Sequence, residues 1–253
     1  MRIYSYNVNG IRAALKKDLL KWMQSEAPDV FCVQETKAMP EQVDLDFSEH
    51  GYHSYFHSAE KKGYSGVAIF SKQKPDYIEN GIGNSKFDIE GRLIRADFGD
   101  LTVVNSYFPS GTTGSIRQDY KMAYLEEVYS YIHQLFQTRK NIILCGDYNI
   151  CHKPIDINRP EKHKGVSGFL PEEREWMSNF LELGFIDSFR YFHEEPERYS
   201  WWSYRAQSRE KNLGWRIDYH MVSKALESKL VGADIHKDVY HSDHCPVSVT
   251  LDI

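Results

Sequence analysis

The sequence predicts an α/β fold of stacked sheets with helices packed outside. Nine strand-like runs, β-branched, aromatic or alternating, outnumber three clear helical segments, too few helices for a regular β-α-β alternation. Both halves of the chain open with a strand and contain one long helix. No stretch has the composition of a linker and no repeat of 20 to 50 residues appears. A single domain over residues 1–253 with two similar halves is therefore expected.

The strand runs fall at residues 2–7, 29–34, 52–57, 66–71, 92–98, 101–108, 141–147, 216–223 and 245–252. The first helix is expected over 11–24, with apolar residues at 11, 14, 15, 19, 22 and 23. A second is expected over 116–137, built around Tyr124, Leu125, Val128, Ile132 and Leu135. The third, 171–183, starts with Pro171, Glu172 and Glu173 and stops at Gly184, which matches the chemical asymmetry of helix ends. Two long loops, 153–169 and 194–214, are polar and rich in Arg, Lys and aromatic residues. Loops of that length in a packed domain usually carry function.

Hydrophobic residues at 41% and charged residues at 26% exclude a disordered or fibrous chain. No apolar run approaches the ~18 residues of a membrane span, and Met1 leads straight into the strand-like start, not into a leader pattern. Cys32, Cys145, Cys151 and Cys245 are widely spaced and form no C-x-x-C pair, so they read as reduced thiols of a cytoplasmic protein. The net charge of −5 argues against a globally basic surface, but phosphate binding depends on local charge. Seventeen tyrosines and five tryptophans exceed what a core needs and leave rings free to face a ligand.

The functional signal is the recurrence of polar side chains at the ends of apolar strands. Asn7 follows the first strand, Glu35 the second, and Asp147 and Asn149 follow the run ending at Gly146. Asp218 lies in the strand around Ile217, and Asp243 and His244 precede the last strand. One Asp or Asn after a strand is a turn former; five such places together describe a shared edge. Carboxylates and amides without a Cys/His cluster suit magnesium or manganese better than zinc, and Glu35 is the leading candidate ligand. If the segment around Asp147 is extended, Asp147 and Asn149 point to the same side and can act together. Asp218 is a candidate partner to hold the His244 ring and favour its charged form. A Ser-His-Asp acyl hydrolase using Ser106 or Ser110 lacks a G-x-S-x-G elbow. The stretch from Arg198 to Arg205, continuing through Arg209, Lys211 and Trp215, alternates stacking faces with phosphate partners and is where a polyanion would bind. Within it Trp201 and Trp215 are expected to face ligand, and Trp202 the core.

Six ordered motifs spanning nearly the whole chain resemble the exonuclease III family of abasic-site endonucleases, within the endonuclease/exonuclease/phosphatase superfamily. They are Ser5-Tyr6-Asn7-Val8-Asn9-Gly10, Gln34-Glu35-Thr36-Lys37, Asn105-Ser106-Tyr107-Phe108-Pro109, Gly146-Asp147-Tyr148-Asn149, Gly214-Trp215-Arg216-Ile217-Asp218-Tyr219 and Ser242-Asp243-His244-Cys245-Pro246. The Trp215 to Tyr219 element and the Gly168 to Arg174 segment resemble the abasic endonucleases and not lipid or inositol phosphate phosphatases.

The resemblance implies a four-layer α-β-β-α sandwich, two mixed sheets face to face with helices outside and the active site at one edge. It implies a Mg2+ or Mn2+ ion held by Glu35, with Asn7, Asp147, Asn149, Asp243 and His244 around it. Asp147 would activate the attacking water, Asn149 orient it, and His244, held by Asp218, contact the scissile phosphate together with Tyr107. Trp201, Trp215 and Ile217 match the abasic-sugar pocket, with Arg205, Arg117 and Lys121 as further DNA contacts. The implied activity is incision 5′ to abasic sites in double-stranded DNA, with 3′→5′ exonuclease and 3′-phosphatase activity on blocked 3′ ends, by a monomer of the bacterial cytoplasmic type. The alternative is a small-molecule phosphatase of the same superfamily, which has no need of Trp201 and Trp215. Three departures stand out. Asn9 occupies a place that is acidic in some relatives, Ser110 one where Asn or Gln is common, and Arg205 one where some relatives carry an apolar wedge.

Overall fold

Each of the nine strands expected from residue pattern forms, with ends displaced by at most two residues, in a computed structural model describing residues 1–253. In chain order the strands are β1 (Arg2–Asn7), β2 (Val30–Gln34), β3 (His53–His57), β4 (Val67–Ser71), β5 (Tyr77–Asn80), β6 (Leu93–Phe98), β7 (Leu101–Tyr107), β8 (Asn141–Asp147), β9 (Phe185–Asp187), β10 (Asp218–Ser223), β11 (Leu230–Ile235) and β12 (Val247–Leu251). The helices are α1 (Ile11–Leu15), α2 (Leu19–Glu26), α3 (Ser85–Asp88), α4 (Ser115–Leu135), α5 (Pro171–Glu182) and α6 (Ser188–Phe192). Pattern reading missed β5, β9 and β11 for one reason. All three lie at sheet edges, where fewer faces are covered and no apolar run is required; β5 has no buried residue.

The helix expected over 11–24 is two helices. Asp18 turns left-handed at φ 66°, and the break lets α1 bury Ile11 and Ala14 while α2 separately buries Leu19 and Met23. The short helices α3 and α6 carry the N-cap side chains Asn84 and Asp187, a local signal present in the sequence but too short to show periodicity.

Two six-stranded sheets result, ordered β11-β12-β1-β2-β4-β3 and β5-β6-β7-β8-β10-β9. In each, one parallel pair, β1 with β2 or β7 with β8, sits centrally and every other pairing is antiparallel. Ile3, Cys32, Ile69 and Val249 of one sheet meet Ala96, Val103, Ile143 and Val222 of the other in the core between them. A second core packs the outer face of the first sheet on α1 and α2, through Tyr4, Tyr6, Ile11, Leu19 and Met23. A third packs the other sheet on α4 and α5, through Leu125, Val128, Ile142, Trp176 and Phe180. These are the four layers of an α-β-β-α sandwich.

Candidate active site

The topology gathers the polar strand ends. Parallel strands finish on the same edge, so β1 and β2 bring Asn7 opposite Gln34, and β7 and β8 bring Tyr107 opposite Asp147. The antiparallel neighbour β10 starts where β8 stops, with Asp218 paired to Asp147. His244 lies three residues ahead of β12, which pairs with β1 at Ser5 and Val247. Beneath this edge the sheets are stitched by buried amides: Gln34 donates to Asn105 Oδ1 at 2.7 Å and to Ser5 Oγ, and Asn105 donates to the Val33 and Ala68 carbonyls. At Gly146, φ 139°, a Cβ would run into the Ser106 carbonyl, so only glycine lets β8 approach β7 there.

On the floor, His244 Nδ1 bonds Asp218 Oδ2 at 2.9 Å, and its Nε2 lies 3.8 Å from Asp147 Oδ2. All three residues are buried. Burial works against a charged imidazole, but Asp218 and Asp147 outweigh it and push the His244 pKa up to about 10. Both ring nitrogens then carry protons, and Nε2–H is a donor at neutral pH. Burial, with the Asp218 charge behind it, pushes Asp147 up to about 7 against the pull of His244 and Asn7. Asp147 can therefore accept a proton near neutrality. Asn7 Nδ2 reaches Asp147 Oδ2 and Glu35 Oε1, each at 2.9 Å. Asn149 donates its backbone N–H to Asp147 Oδ1 at 2.8 Å, and its side-chain amide to the Phe108 carbonyl at 2.9 Å and to Asp147 Oδ2 at 3.3 Å. The Tyr107 phenol is raised well above its ordinary value by burial and by the Glu35 charge, so it stays a hydroxyl donor. Arg92 holds Tyr107 from behind: Nη1 donates to its carbonyl at 2.9 Å and the guanidinium lies 4.8 Å from its ring centre.

Glu35 is kept ionised against its burial by Lys37, 2.7 Å from Oε2, and by the Asn7 amide. Asp243 accepts from Trp201 Nε1 and from Asn9 Nδ2, both at 3.0 Å. Asp147, Asp218 and His244 offer donor atoms within 4.8 Å of one another, and Asp218 Oδ1 is buried without a partner. Anionic oxygens dominate this set, which suits a hard divalent cation. Of the two places, Glu35 lines the cavity with its carboxylate paired to the Lys37 ammonium, whereas the Asp147–His244–Asp218 group sets two carboxylates against one imidazolium.

The floor opens into a cavity of about 800 Å3 walled by Trp201, Trp215, Ile217, Arg205, His163 and the 166–168 segment. Trp201 and Trp215 are half-buried and meet edge to face at 5.9 Å between ring centres, while Trp202 is buried. Trp215 is clamped by its neighbour: Arg216, wholly buried, bonds Asp156 through Nε at 2.8 Å and Asp187 through Nη2 at 2.6 Å. Arg190 adds a second guanidinium to Asp156 at 2.8 Å. At Gly168, φ 98°, a Cβ would sit 2.7 Å from the Trp215 ring, so glycine is needed for the wall to close.

The model of the endonuclease/exonuclease/phosphatase family matches residues 4–247. The chain belongs to that family. It is 46% identical to the exodeoxyribonuclease of Bacillus subtilis over the full length of both. An AP endonuclease structure from Archaeoglobus fulgidus superposes with a TM-score of 0.91 at 32% identity, covering all of both chains. The structure of a 3′ phosphatase from Neisseria bound to product DNA hairpin superposes at 0.93 with 28% identity, again over all of both chains. These relatives support the nuclease reading of this family member and not the small-molecule phosphatase alternative.

Against this family frame, three expectations change. Lys121 is no DNA contact: it is fully buried, paired with Glu173 at 2.6 Å and bonded to the Asn149 carbonyl. Arg117 is largely spoken for, bound to Glu90 at 2.8 Å and to the Tyr64 hydroxyl, with its guanidinium 4.3 Å from the Tyr120 ring centre. Asn7 Oδ1 accepts from Asn9 N while the amide N–H2 bridges Glu35 and Asp147. Asn149 joins Asp147 through a left-handed turn, φ 53°, and not through extended chain. Ser106 is buried on the Tyr124 hydroxyl and Ser110 bonds Thr112, so neither pairs with His244 as an acyl hydrolase requires. Ser200 was given no role, yet it donates to Asp218 Oδ2 at 2.6 Å and accepts from the Ile217 and Asp218 amides. Its one sequence signal is a small polar residue between Tyr199 and Trp201. Arg205 stands exposed on the cavity rim and forms no ion pair.

Proposed function

We propose that the chain is a divalent-metal-dependent DNA-repair phosphodiesterase that cuts duplex DNA on the 5′ side of abasic sites and also trims blocked 3′ ends. The observation that carries this reading is Asp147 beside a His244 held by Asp218, at the foot of a cavity walled by tryptophans. A small-molecule phosphatase needs only the floor. An extrahelical sugar without its base fits a narrow aromatic wall, and rotating it out breaks no base pair.

Asp147 takes the proton of a water that Asn149 helps align, and the water oxygen attacks phosphorus. His244 Nε2–H and the Tyr107 hydroxyl bond the phosphoryl oxygens as charge builds on them. The bond to the 3′ oxygen breaks and that oxygen takes up a proton from solvent, leaving a 3′-hydroxyl and a 5′ phosphate on the baseless sugar. Mg2+ or Mn2+, when held at Glu35 with Asp243 nearby, supplies charge neutralisation at phosphate and departing oxygen. Trp201, Trp215 and Ile217 admit the sugar and exclude a nucleotide with its base, and Arg205 reaches the neighbouring groove. Four buried free cysteines suit the reducing cytoplasm, where a monomer would suffice because every proposed group comes from one chain.

The test is an end-labelled duplex with one stable abasic analogue, incubated with magnesium, with EDTA, and beside an undamaged duplex. A single magnesium-dependent cut immediately 5′ to the analogue is expected. Absence of any cut would sink the reading, and laddering of the undamaged duplex would measure the exonuclease component.

A further inference from the structure

We propose that the buried Lys121–Glu173 pair is a positioning device that sets Asn149 and one cavity wall from the far side of the sheet. Lys121, on α4, donates one N–H to the Asn149 carbonyl at 2.9 Å and another to Glu173 Oε1 at 2.6 Å. Both side chains are fully buried, so neither can touch DNA. Glu173 Oε2 accepts the backbone N–H of Gly168 at 2.6 Å and of Leu170 at 3.0 Å. Oε1 also accepts from Gln118 and Ser167. Gly168 in turn accepts Cys151 N at 2.7 Å and lies directly against the Trp215 ring.

One ion pair thus fixes two things. The first is the carbonyl of a residue in the left-handed region, φ 53°, whose side-chain amide must reach both Asp147 and Phe108 O. Asn enters that region more readily than most non-glycine residues; here Asp147 and Phe108 O take its N–H and side-chain amide, and Lys121 is the donor that fixes its carbonyl. The second is the 166–168 segment, which lines the same cavity as Trp201. The pair also satisfies N–H groups ahead of α5 that would otherwise be stranded. A lysine in place of a neutral donor brings an ammionium that can serve the carbonyl and the carboxylate simultaneously.

The proposal rests on the nuclease reading for its kinetic arm, and a second arm needs no substrate. Lys121→Met is expected to lower kcat on the abasic duplex about 10- to 100-fold with KM little changed, since it displaces a group near the reacting water. Its effect is expected to be absorbed in Lys121→Met/Asn149→Ala, which loses no more than Asn149→Ala alone. Lys121→Met strands a buried carboxylate and can unfold the chain, so the charge-neutral pair Lys121→Met/Glu173→Gln is the control: it is expected to fold while kcat stays low. The independent readout is the Asn149 side-chain amide signal in a proton–nitrogen correlation spectrum of the DNA-free protein, expected to shift in the folded neutral-pair variant. Unmoved Asn149 signals in that variant, or losses that simply add to those of Asn149→Ala, would overturn the proposal. If the wild type cuts no abasic duplex, the nuclease reading fails and the amide signals alone decide the positioning role.

Discussion

The floor and the walls of the cavity are built by different means. The floor residues Asn7, Tyr107, Asp147 and Asp218 are strand ends, placed by register within and between two sheets and stitched below by Gln34 and Asn105. The walls are loops, and irregular backbone has no ladder to hold it. Buried ion pairs do that job instead: Arg216 with Asp156 and Asp187 behind Trp215, and Lys121 with Glu173 behind the 166–168 segment. Chemistry common to many phosphoryl substrates sits on the regular part, and selection among substrates sits on the part that can vary. A change in the floor should therefore stop turnover while leaving the fold intact, and a change behind the Trp215 wall should cost stability and discrimination; the Lys121–Glu173 pair, bonded to Asn149 as well as to the wall, should also reach turnover.

The largest expected effect is Asp147→Asn, which removes the proton acceptor from the floor. A fall in kcat of about 10² to 10⁴ is expected, with duplex binding and melting temperature retained; single-turnover rates and a binding isotherm check it. Arg216→Met breaks the wall. It leaves Asp156 and Asp187 buried without a guanidinium between them, for an expected loss of about 3 to 5 kcal/mol of stability, measured by urea unfolding. If that variant instead kept its stability and lost only kcat, the division between floor and wall would be wrong.

Acid should reach the wall as well. Burial alone would raise Asp156, but Arg216 and Arg190 hold it down at about 2. A folded pKa below the unfolded one contributes stability that is complete above the unfolded value, roughly pH 4, and is lost as pH falls through the folded value. About 2 kcal/mol should disappear between pH 4 and pH 2 from this carboxylate, and Glu90, held at about 2 by Arg117 and Arg92 against its burial, should add to the trend. Melting curves across that window in the wild type and in Asp156→Asn, which should show a shallower slope, measure it. The smallest effect is expected for Trp215→Ala. Cutting at undamaged positions relative to the abasic analogue should rise about tenfold, in the range set by changes of pocket size; an unchanged ratio would remove Trp215 from the selective wall.

The legible part of the site was the part carried by strands. Asn7, Glu35, Asp147 and Asp218 could be placed at a common edge because an apolar run followed by a polar residue marks both a strand and its end. The illegible part depended on partners distant in sequence. Lys121 was expected among the DNA contacts, and only packing against Glu173, 52 residues on, buries it. Ser200 had no signal, since its partners Ile217 and Asp218 are brought to it by the fold. The edge strands β5, β9 and β11 were missed because strands covered on fewer sides need no apolar run.

By itself the sequence determined the layers, most strand boundaries, the family and the residues at the sheet edge, because local periodicity and motif spacing are written in consecutive positions. The tertiary structure alone decided which side chains are charged, which are buried and which bond to one another. His244 is a cation only because Asp218 and Asp147 flank it away from water, and Lys121 is a support only because α4 carries it beneath Asn149. Both outcomes depend on distance and dielectric, and neither quantity exists until the chain has folded.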